Sequence, residues 1–276
     1  MHLLQINWDI NPEIFRIGSF ALRYYSLAFL LAFSLGWYLM HRIYSEENLG
    51  EKELDKLFMY AVISTLLGAR IGHYLFYEPF EVFLQRPLEI ILPVSFTPSF
   101  RFIGFSGLAS HGAILGLLIA FYFYSKNIIK KPFLFILDRV VVPISLGAAF
   151  VRIGNFFNSE IIGKATNADH GVIFSRLGEN FPRHPAQLYE SIGYAIIFFI
   201  IWYIYWKTNR AKQPGFLFGL CFVLMWTVRF FVEFYKEPQV NERADWLLNT
   251  GQLLSIPFIL MGAYFVFNAT RNKIAS

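Results

Sequence analysis

Seven apolar runs, each close to the length of about 20 residues needed to cross a bilayer, restrict this chain more than any other feature. They lie near residues 18–40, 56–77, 103–124, 133–152, 187–206, 215–235 and 247–268. Lipid offers no water to backbone N–H and C=O groups, so each run must pair them internally as a helix. Charged residues make up 16% of the chain, against about a quarter in soluble domains, and 32 of its 276 residues are Phe. The expected architecture is all-α, a polytopic integral membrane protein with about seven transmembrane helices in one domain over residues 1–276. Gly in the third run, and Gly and Pro in the seventh, are tolerated where neighbouring helices satisfy the backbone.

Lysines orient the chain. Lys52 and Lys56 follow the first run, Lys126, Lys130 and Lys131 the third, Lys207 and Lys212 the fifth, and Lys273 the seventh. Only Lys164 and Lys236 fall on the opposite face. Lysine-rich connections stay in the cytoplasm, which puts the N-terminus outside and the C-terminus inside. Two long outer excursions result. Residues 78–102 hold Pro79, Pro87, Pro93 and Pro98 and suggest an irregular or interfacial segment, and residues 153–186 suggest a small extracytoplasmic head. The net charge of +5 is scattered between apolar runs and reflects topology, with no nucleic-acid surface expected. Cys221 is the single cysteine, which excludes an intramolecular disulfide and an all-cysteine metal site. Residues 1–9 lack a basic segment and a small-residue cleavage site, so no removed signal peptide is expected.

A helix rises about 1.5 Å per residue, which assigns a depth to each polar group. Arg23 and Tyr25 fall in the outer third of the first helix, and Arg70 and His73 in the outer half of the second. Counted from Gly104, His111 lies about two turns below the outer surface. Arg152 closes the fourth helix, Glu190 opens the fifth, and Arg229 and Glu233 occupy the outer third of the sixth. Asp138 and Arg139, near the inner end of the fourth, are expected to form an interfacial pair. Each polar residue has a structural explanation when taken alone. Arg229 and Glu233 are four apart and can neutralise each other, His111 and Arg70 can bond a neighbouring helix, and Tyr25 can belong to an aromatic belt. Convergence of six helices on one layer is not explained that way, since a charge costs about 2.5–3.5 kcal/mol at the membrane centre. It implies a shared polar cavity. Arg23, Arg70, Arg152 and Arg229 outnumber Glu190 and Glu233 there, and guanidinium forks match phosphate oxygens two at a time.

The fourth run closes on Arg152-Ile-Gly-Asn-Phe-Phe-Asn-Ser-Glu160-Ile-Ile-Gly163, which packs a cation, two amides and a carboxylate into nine positions and resembles the signature segment of the prolipoprotein diacylglyceryl transferase family. Ser110-His-Gly-Ala-Ile-Leu-Gly116, Pro182-Arg-His-Pro-Ala-Gln-Leu-Tyr-Glu190 and Arg229-Phe-Phe-Val-Glu-Phe234 support the resemblance. Arg23-Tyr-Tyr-Ser-Leu27, Gly68-Ala-Arg-Ile-Gly72 and Gly251-Gln-Leu-Leu-Ser-Ile-Pro257 also fit, so the likeness runs in order from the first helix to the seventh. Met225 stands where the family often has Tyr, and Ala113 where a second Gly commonly follows His-Gly.

The resemblance implies an enzyme of the bacterial inner membrane, engaged in lipoprotein biosynthesis. It would transfer the diacylglyceryl group of phosphatidylglycerol to the thiol of the lipobox cysteine in a prolipoprotein signal peptide, releasing glycerol phosphate. His111, Arg152 and Arg229 would be catalytic, His111 as the base for the thiol. Tyr25, Arg70, Arg152, Asn155, Glu160, Gly163 and Glu233 would bind the phospholipid. No metal or organic cofactor is implied, and His170, His184 and Asp169 make a poor metal site. A transporter for an anionic solute is the alternative from another class, but such sites lie near the midplane between repeated halves, and no convincing repeat is present. A purely structural membrane protein leaves the 151–163 stretch unexplained.

Overall fold

The computed structural model describes residues 6–18, 20–85, 87–92, 94–96, 99–102, 107–238 and 247–274. Its helices are α1 (Tyr24–Glu46), α2 (Glu51–Phe76), α3 (Phe80–Gln85), α4 (Pro87–Ile91), α5 (Ser110–Tyr124), α6 (Phe133–Phe157), α7 (Ala186–Lys207), α8 (Phe216–Val232) and α9 (Thr250–Ile274). Among the described residues six are long and apolar enough to cross a membrane: α1, α5 with its continuation to Ile129, α6, α7, α8 with its extension to Tyr235, and α9. α2 has the length, 26 residues, but carries Glu51, Lys52, Glu53, Asp55 and Lys56 at its start. The expected all-α membrane architecture is what the chain adopts. Backbone contacts divide it into two compact units, residues 1–40 with 137–276, and residues 41–136.

The first unit opens with β1 (Ile6–Trp8) and an antiparallel hairpin of β2 (Glu13–Ile17) and β3 (Phe20–Arg23). The hairpin corrects the first expected span, which began at 18: α1 starts at Tyr24, and Arg23 lies in a strand. Gly18 has φ +59°, a left-handed conformation that glycine takes without a Cβ clash. Glu13 holds Arg16 at 2.6 Å and Arg23 at 3.3 Å, and the Arg16 hydrogen bond keeps its carboxyl below the usual range. Arg23 thus has a local partner outside any membrane helix. α1 then packs on α6 through small residues. A Cβ at Gly36 would lie 3.5 Å from Pro143, one at Gly147 3.5 Å from Ala32, and one at Gly154 3.3 Å from Ala28. Pro143 is tolerated inside α6, and Ser145 Oγ donates to the Val142 carbonyl at 2.8 Å just beyond it.

Between α6 and α7 lies a small head. β1 pairs in parallel with β6 (Val172–Phe174), and Trp8, Ile162 and Leu188 pack on a buried cluster of Phe156, Val172 and Phe174. Arg183 clamps the head by donating to Glu179 at 2.6 Å, to Glu237 at 2.9 Å and to the Gly163 carbonyl at 3.1 Å. Asp138 departs from the expected interfacial pair with Arg139. It is fully buried, and its carboxylate accepts the Gly215 N–H at 2.6 Å and the Phe218 N–H at 2.8 Å. A carboxylate from α6 thereby caps the N-terminus of α8, where unpaired N–H groups and the helix dipole favour negative charge.

In the second unit, α2 crosses α5 with backbone against backbone. A Cβ at Gly72 would lie 2.6 Å from the Gly112 Cα, and one at Gly116 would lie 2.6 Å from the Ser64 carbonyl oxygen. Gly68-Ala-Arg-Ile-Gly72 and Gly112-Ala-Ile-Leu-Gly116 place glycines four apart on both helices, the spacing that lets membrane helices approach closely. The third expected span began at 103, but α5 starts at Ser110, and residues 103–106, Gly104 included, lie outside the described residues. His111 therefore stands in the first turn of α5 and not two turns along a helix. The expected 78–102 excursion contains α3, α4 and the short pair β4 (Val94–Ser95) and β5 (Arg101–Phe102); Pro93 and Pro98 lie outside the described residues.

Candidate active site

The end of α6 builds the site. The Glu160 N–H donates to the Asn155 carbonyl at 2.9 Å and the Ser159 N–H to the Phe156 carbonyl at 3.0 Å, the two bonds of a Schellman C-cap. Its left-handed position, usually glycine, is Ser159 with φ +55°. Ile161 follows at φ +57°, an outlier for a β-branched residue. The surroundings hold this loop: Gln187 Nε2 donates to the Glu160 carbonyl at 2.6 Å and the Glu237 N–H to the Ile162 carbonyl at 3.1 Å. Backbone strain of this kind persists where neighbours over-determine it and gathers at functional sites.

The loop aims a connected set of side chains. Arg152 Nη1 donates to Asn155 Oδ1 at 3.1 Å, and Asn155 Nδ2 to Glu160 Oε2 at 3.2 Å. Asn158 Nδ2 reaches the other Glu160 oxygen at 3.2 Å. The Tyr25 hydroxyl, carried there by the α1–α6 packing, shares a hydrogen bond with Asn155. On its other side Arg152 faces α7. Its Nε lies 2.6 Å from Glu190 Oε2, and Tyr194 accepts a further bond from its guanidinium. Ser191 Oγ ties the two helices by donating to the Ala149 carbonyl at 3.0 Å.

From Glu190 the charges continue. Lys236 Nζ lies 3.5 Å from Glu190 Oε1 and 2.8 Å from Glu233 Oε1, and Glu233 Oε1 lies 3.6 Å from Arg229 Nε. Arg152, Glu190, Lys236, Glu233 and Arg229 thus form a ladder of alternating sign within the first unit. Glu190 is fully buried and Lys236 is 3% exposed, whereas the Arg229 side chain keeps 30% of its surface. Arg229 Nε has no aligned acceptor, and its guanidinium sits 5.3 Å over the Trp226 ring. The start of α9 braces Glu233. Asn249 and Gln252 exchange side chain and backbone bonds at 2.8 and 3.0 Å, a capping box, and Asn249 Nδ2 donates to the Glu233 carbonyl at 3.0 Å. Gly251 leaves room for the Glu233 carboxylate, since a Cβ there would come within 2.7 Å of both its oxygens.

Gly163 bridges Lys236 in antiparallel fashion, and its N–H donates to the His184 carbonyl at 3.0 Å. His184, 3.1 Å from the Tyr189 hydroxyl, is held below the usual imidazole range by burial, with the charge of His170 adding to the effect. The second unit holds two residues expected at the site. Arg70 is 1% exposed, and its guanidinium donates to the Ile90 carbonyl at 3.1 Å and the Glu89 carbonyl at 2.5 Å, fastening α4 to α2. His111 is exposed beside the buried Gly112. Cys221 is buried 3.6 Å from Met225 Sδ, away from the ladder's polar atoms.

Tyr25, Arg152, Asn155, Glu160, Glu190, Arg229 and Glu233, which the sequence singles out, lie along one set of polar contacts, joined by Lys236, Tyr194 and Gln187, which it does not. Lys236 left a signal: it stands three residues after Glu233 and is one of two lysines on the minority face. The family model for prolipoprotein diacylglyceryl transferase matches residues 12–268, which takes in every member of the ladder. The chain belongs to that family. It is 42% identical over 273 residues to a phosphatidylglycerol–prolipoprotein diacylglyceryl transferase of Bacteroides fragilis, covering 98% of both chains. Transferases of the same name from Chloroherpeton thalassium and Tolumonas auensis are 40% and 39% identical over 266 residues, covering 96% of this chain and 95% and 98% of theirs. This diacylglyceryl transferase family member carries Arg152, Glu190, Arg229 and Glu233 on segments through which it resembles the family.

Proposed function

We propose that the chain transfers the diacylglyceryl group of phosphatidylglycerol to the lipobox cysteine of a prolipoprotein at the bacterial inner membrane, the first step of lipoprotein maturation. The ladder is the observation that carries this reading. It holds two arginines beside carboxylates, and guanidinium forks match phosphate oxygens two at a time. The cysteine thiolate attacks the glyceryl carbon bonded to phosphate oxygen; the carbon–sulfur bond forms, the carbon–oxygen bond breaks, and glycerol phosphate leaves with the bonding electrons. Arg152 and Arg229 bind the phosphate and stabilise the charge that grows on it. Asn155 and Glu160 orient Arg152 and offer acceptors to the glycerol hydroxyls, Tyr25 donates to the phosphate, Glu233 sets Arg229, and Gly163 keeps the loop close to the backbone of His184 and Lys236. Arg70 supports phospholipid binding through the α4 turn that it fastens. His111 takes the thiol proton; this assignment rests on its imidazole and on the matched Ser110-His111-Gly112 segment.

The test is purified protein in detergent with phosphatidylglycerol and a synthetic lipobox peptide. Release of glycerol phosphate that requires the peptide supports the reading, and release without it, or none, overturns it. The lysine asymmetry further supports an extracytoplasmic N-terminus and head and a cytoplasmic C-terminus. With Cys221→Ala as background, an impermeant thiol reagent added from outside should label Ser159→Cys and spare Asn127→Cys. The reverse pattern inverts the topology.

A further inference from the structure

Lys236 is a third cation, and a buried one, in a place where two ion pairs would balance without it. Arg152 could neutralise Glu190, and Arg229 could neutralise Glu233. A buried lysine is costly unless its ammonium is paired, so its presence between the two carboxylates calls for an explanation. The distances supply one. Lys236 Nζ stands 2.8 Å from Glu233 Oε1, while Arg229 Nε stands 3.6 Å from the same oxygen. The lysine occupies that oxygen, and Arg229 Nε is left without an aligned acceptor. On the other carboxylate, Lys236 faces Glu190 Oε1, and Arg152 Nε lies 2.6 Å from Oε2 without an aligned hydrogen bond. Neither arginine is closed into a two-pronged pair with its carboxylate.

We infer that Lys236 is a positioning residue: by engaging Glu190 and Glu233 together, it withholds them from full pairing with Arg152 and Arg229 and leaves guanidinium N–H groups for the lipid phosphate. The inference rests on the transfer reading above. Without the ammonium, Glu233 swings fully onto Arg229 and Glu190 grips Arg152 with both oxygens. Bidentate carboxylate pairs are strong, so the phosphate must then displace them. The antiparallel bridge between Gly163 and Lys236 fixes the lysine from its backbone, so the ammonium enters the ladder from the segment that follows α8.

The experiment measures the KM for phosphatidylglycerol and the single-turnover rate for Lys236→Met, Glu233→Gln and the double variant, with thermal unfolding alongside. Lys236→Met should raise KM about tenfold or more and slow transfer, and adding Glu233→Gln should recover part of that loss, because no carboxylate remains to close on Arg229. A merely structural lysine would lower the folded fraction and leave KM unchanged. Wild-type KM and rate in folded Lys236→Met, or a second substitution that deepens the defect, overturns the inference. If Lys236→Met does not fold, the double variant is compared with Glu233→Gln alone: KM values within about threefold support the inference, and a far worse double overturns it. Wild-type protein with no peptide-dependent release of glycerol phosphate defeats the transfer reading separately, and binding of the same variants to phosphatidylglycerol vesicles still tests the lysine.

Discussion

Where α2 crosses α5, Gly68, Gly72, Gly112 and Gly116 bring backbone against backbone without a charge between them. Where α7 faces α6, a fully buried Glu190 meets Arg152, and Lys236 and Glu233 extend the contact toward Arg229. Lipid tails are as apolar as leucine, so helices in a bilayer gain nothing by hiding apolar surface from one another. Close glycine contact answers that difficulty with dispersion alone, and α8 and α9 use it too: a Cβ at Gly219 would lie 2.6 Å from the Gly262 carbonyl oxygen. Association therefore does not need charges, and each one in lipid is a standing cost. The ladder is thus more than the association of these helices requires.

Substitutions can break that contrast. The largest effect is expected at His111, beside the glycine crossing but free of its packing. His111→Gln keeps hydrogen bonding and loses proton transfer, so single-turnover transfer should fall by about 10²–10⁴ while phosphatidylglycerol binding and the unfolding temperature hold. Near-normal transfer would move the base elsewhere. Arg152→Lys comes next, with a loss of about 10²–10³ in rate, close to that of Arg152→Ala, because an ammonium lacks the planar fork. Retained activity would reduce Arg152 to an interfacial anchor. Gly112→Leu should act on stability, since its Cβ would meet the Gly72 Cα at 2.7 Å and overpacking costs about 1–3 kcal/mol. A lower unfolding temperature in detergent would show it; unchanged unfolding would mean that α2 and α5 do not depend on this approach. Cys221→Ala should do least. The thiol is a small buried hydrophobe beside Met225, so transfer should persist with a slightly lower unfolding temperature. Loss of turnover in the folded variant would give the enzyme's own thiol a role in transfer.

Hydropathy was enough to place α6, α7, α8 and α9, because length and apolarity decide what crosses a bilayer. It failed at the start of α1, where the apolar residues of 13–23 satisfy strand pairing as well as they satisfy lipid, and only the hydrogen bonds choose. Depth counting brought most of the ladder together because helices converge at known rises. It did not foresee the local partners of Arg23 and Arg70, since a charge can find a carboxylate or a carbonyl that no depth estimate sees. Lys236 escaped for a related reason: it lies past the end of α8, where charge was credited to topology. The left-handed Ser159 was not legible either, because the usual signal, glycine, is absent from that position.

The cap that Asp138 places on α8 has a mechanical meaning. Gly215 and Phe218 are bonded to a carboxylate on α6, so the two helices share a common zero at one end. Fourteen residues further along α6 stands Arg152, and eleven residues along α8 from Phe218 stands Arg229. The separation of the two guanidinium groups is then a difference between two measured lengths on rods clamped at their base. One residue inserted between Asp138 and Arg152 would advance that arginine by about 1.5 Å and turn it through about 100°, away from Glu190. The tie converts sequence spacing into calibration, and the proposed grip of two arginines on one phosphate depends on both scales.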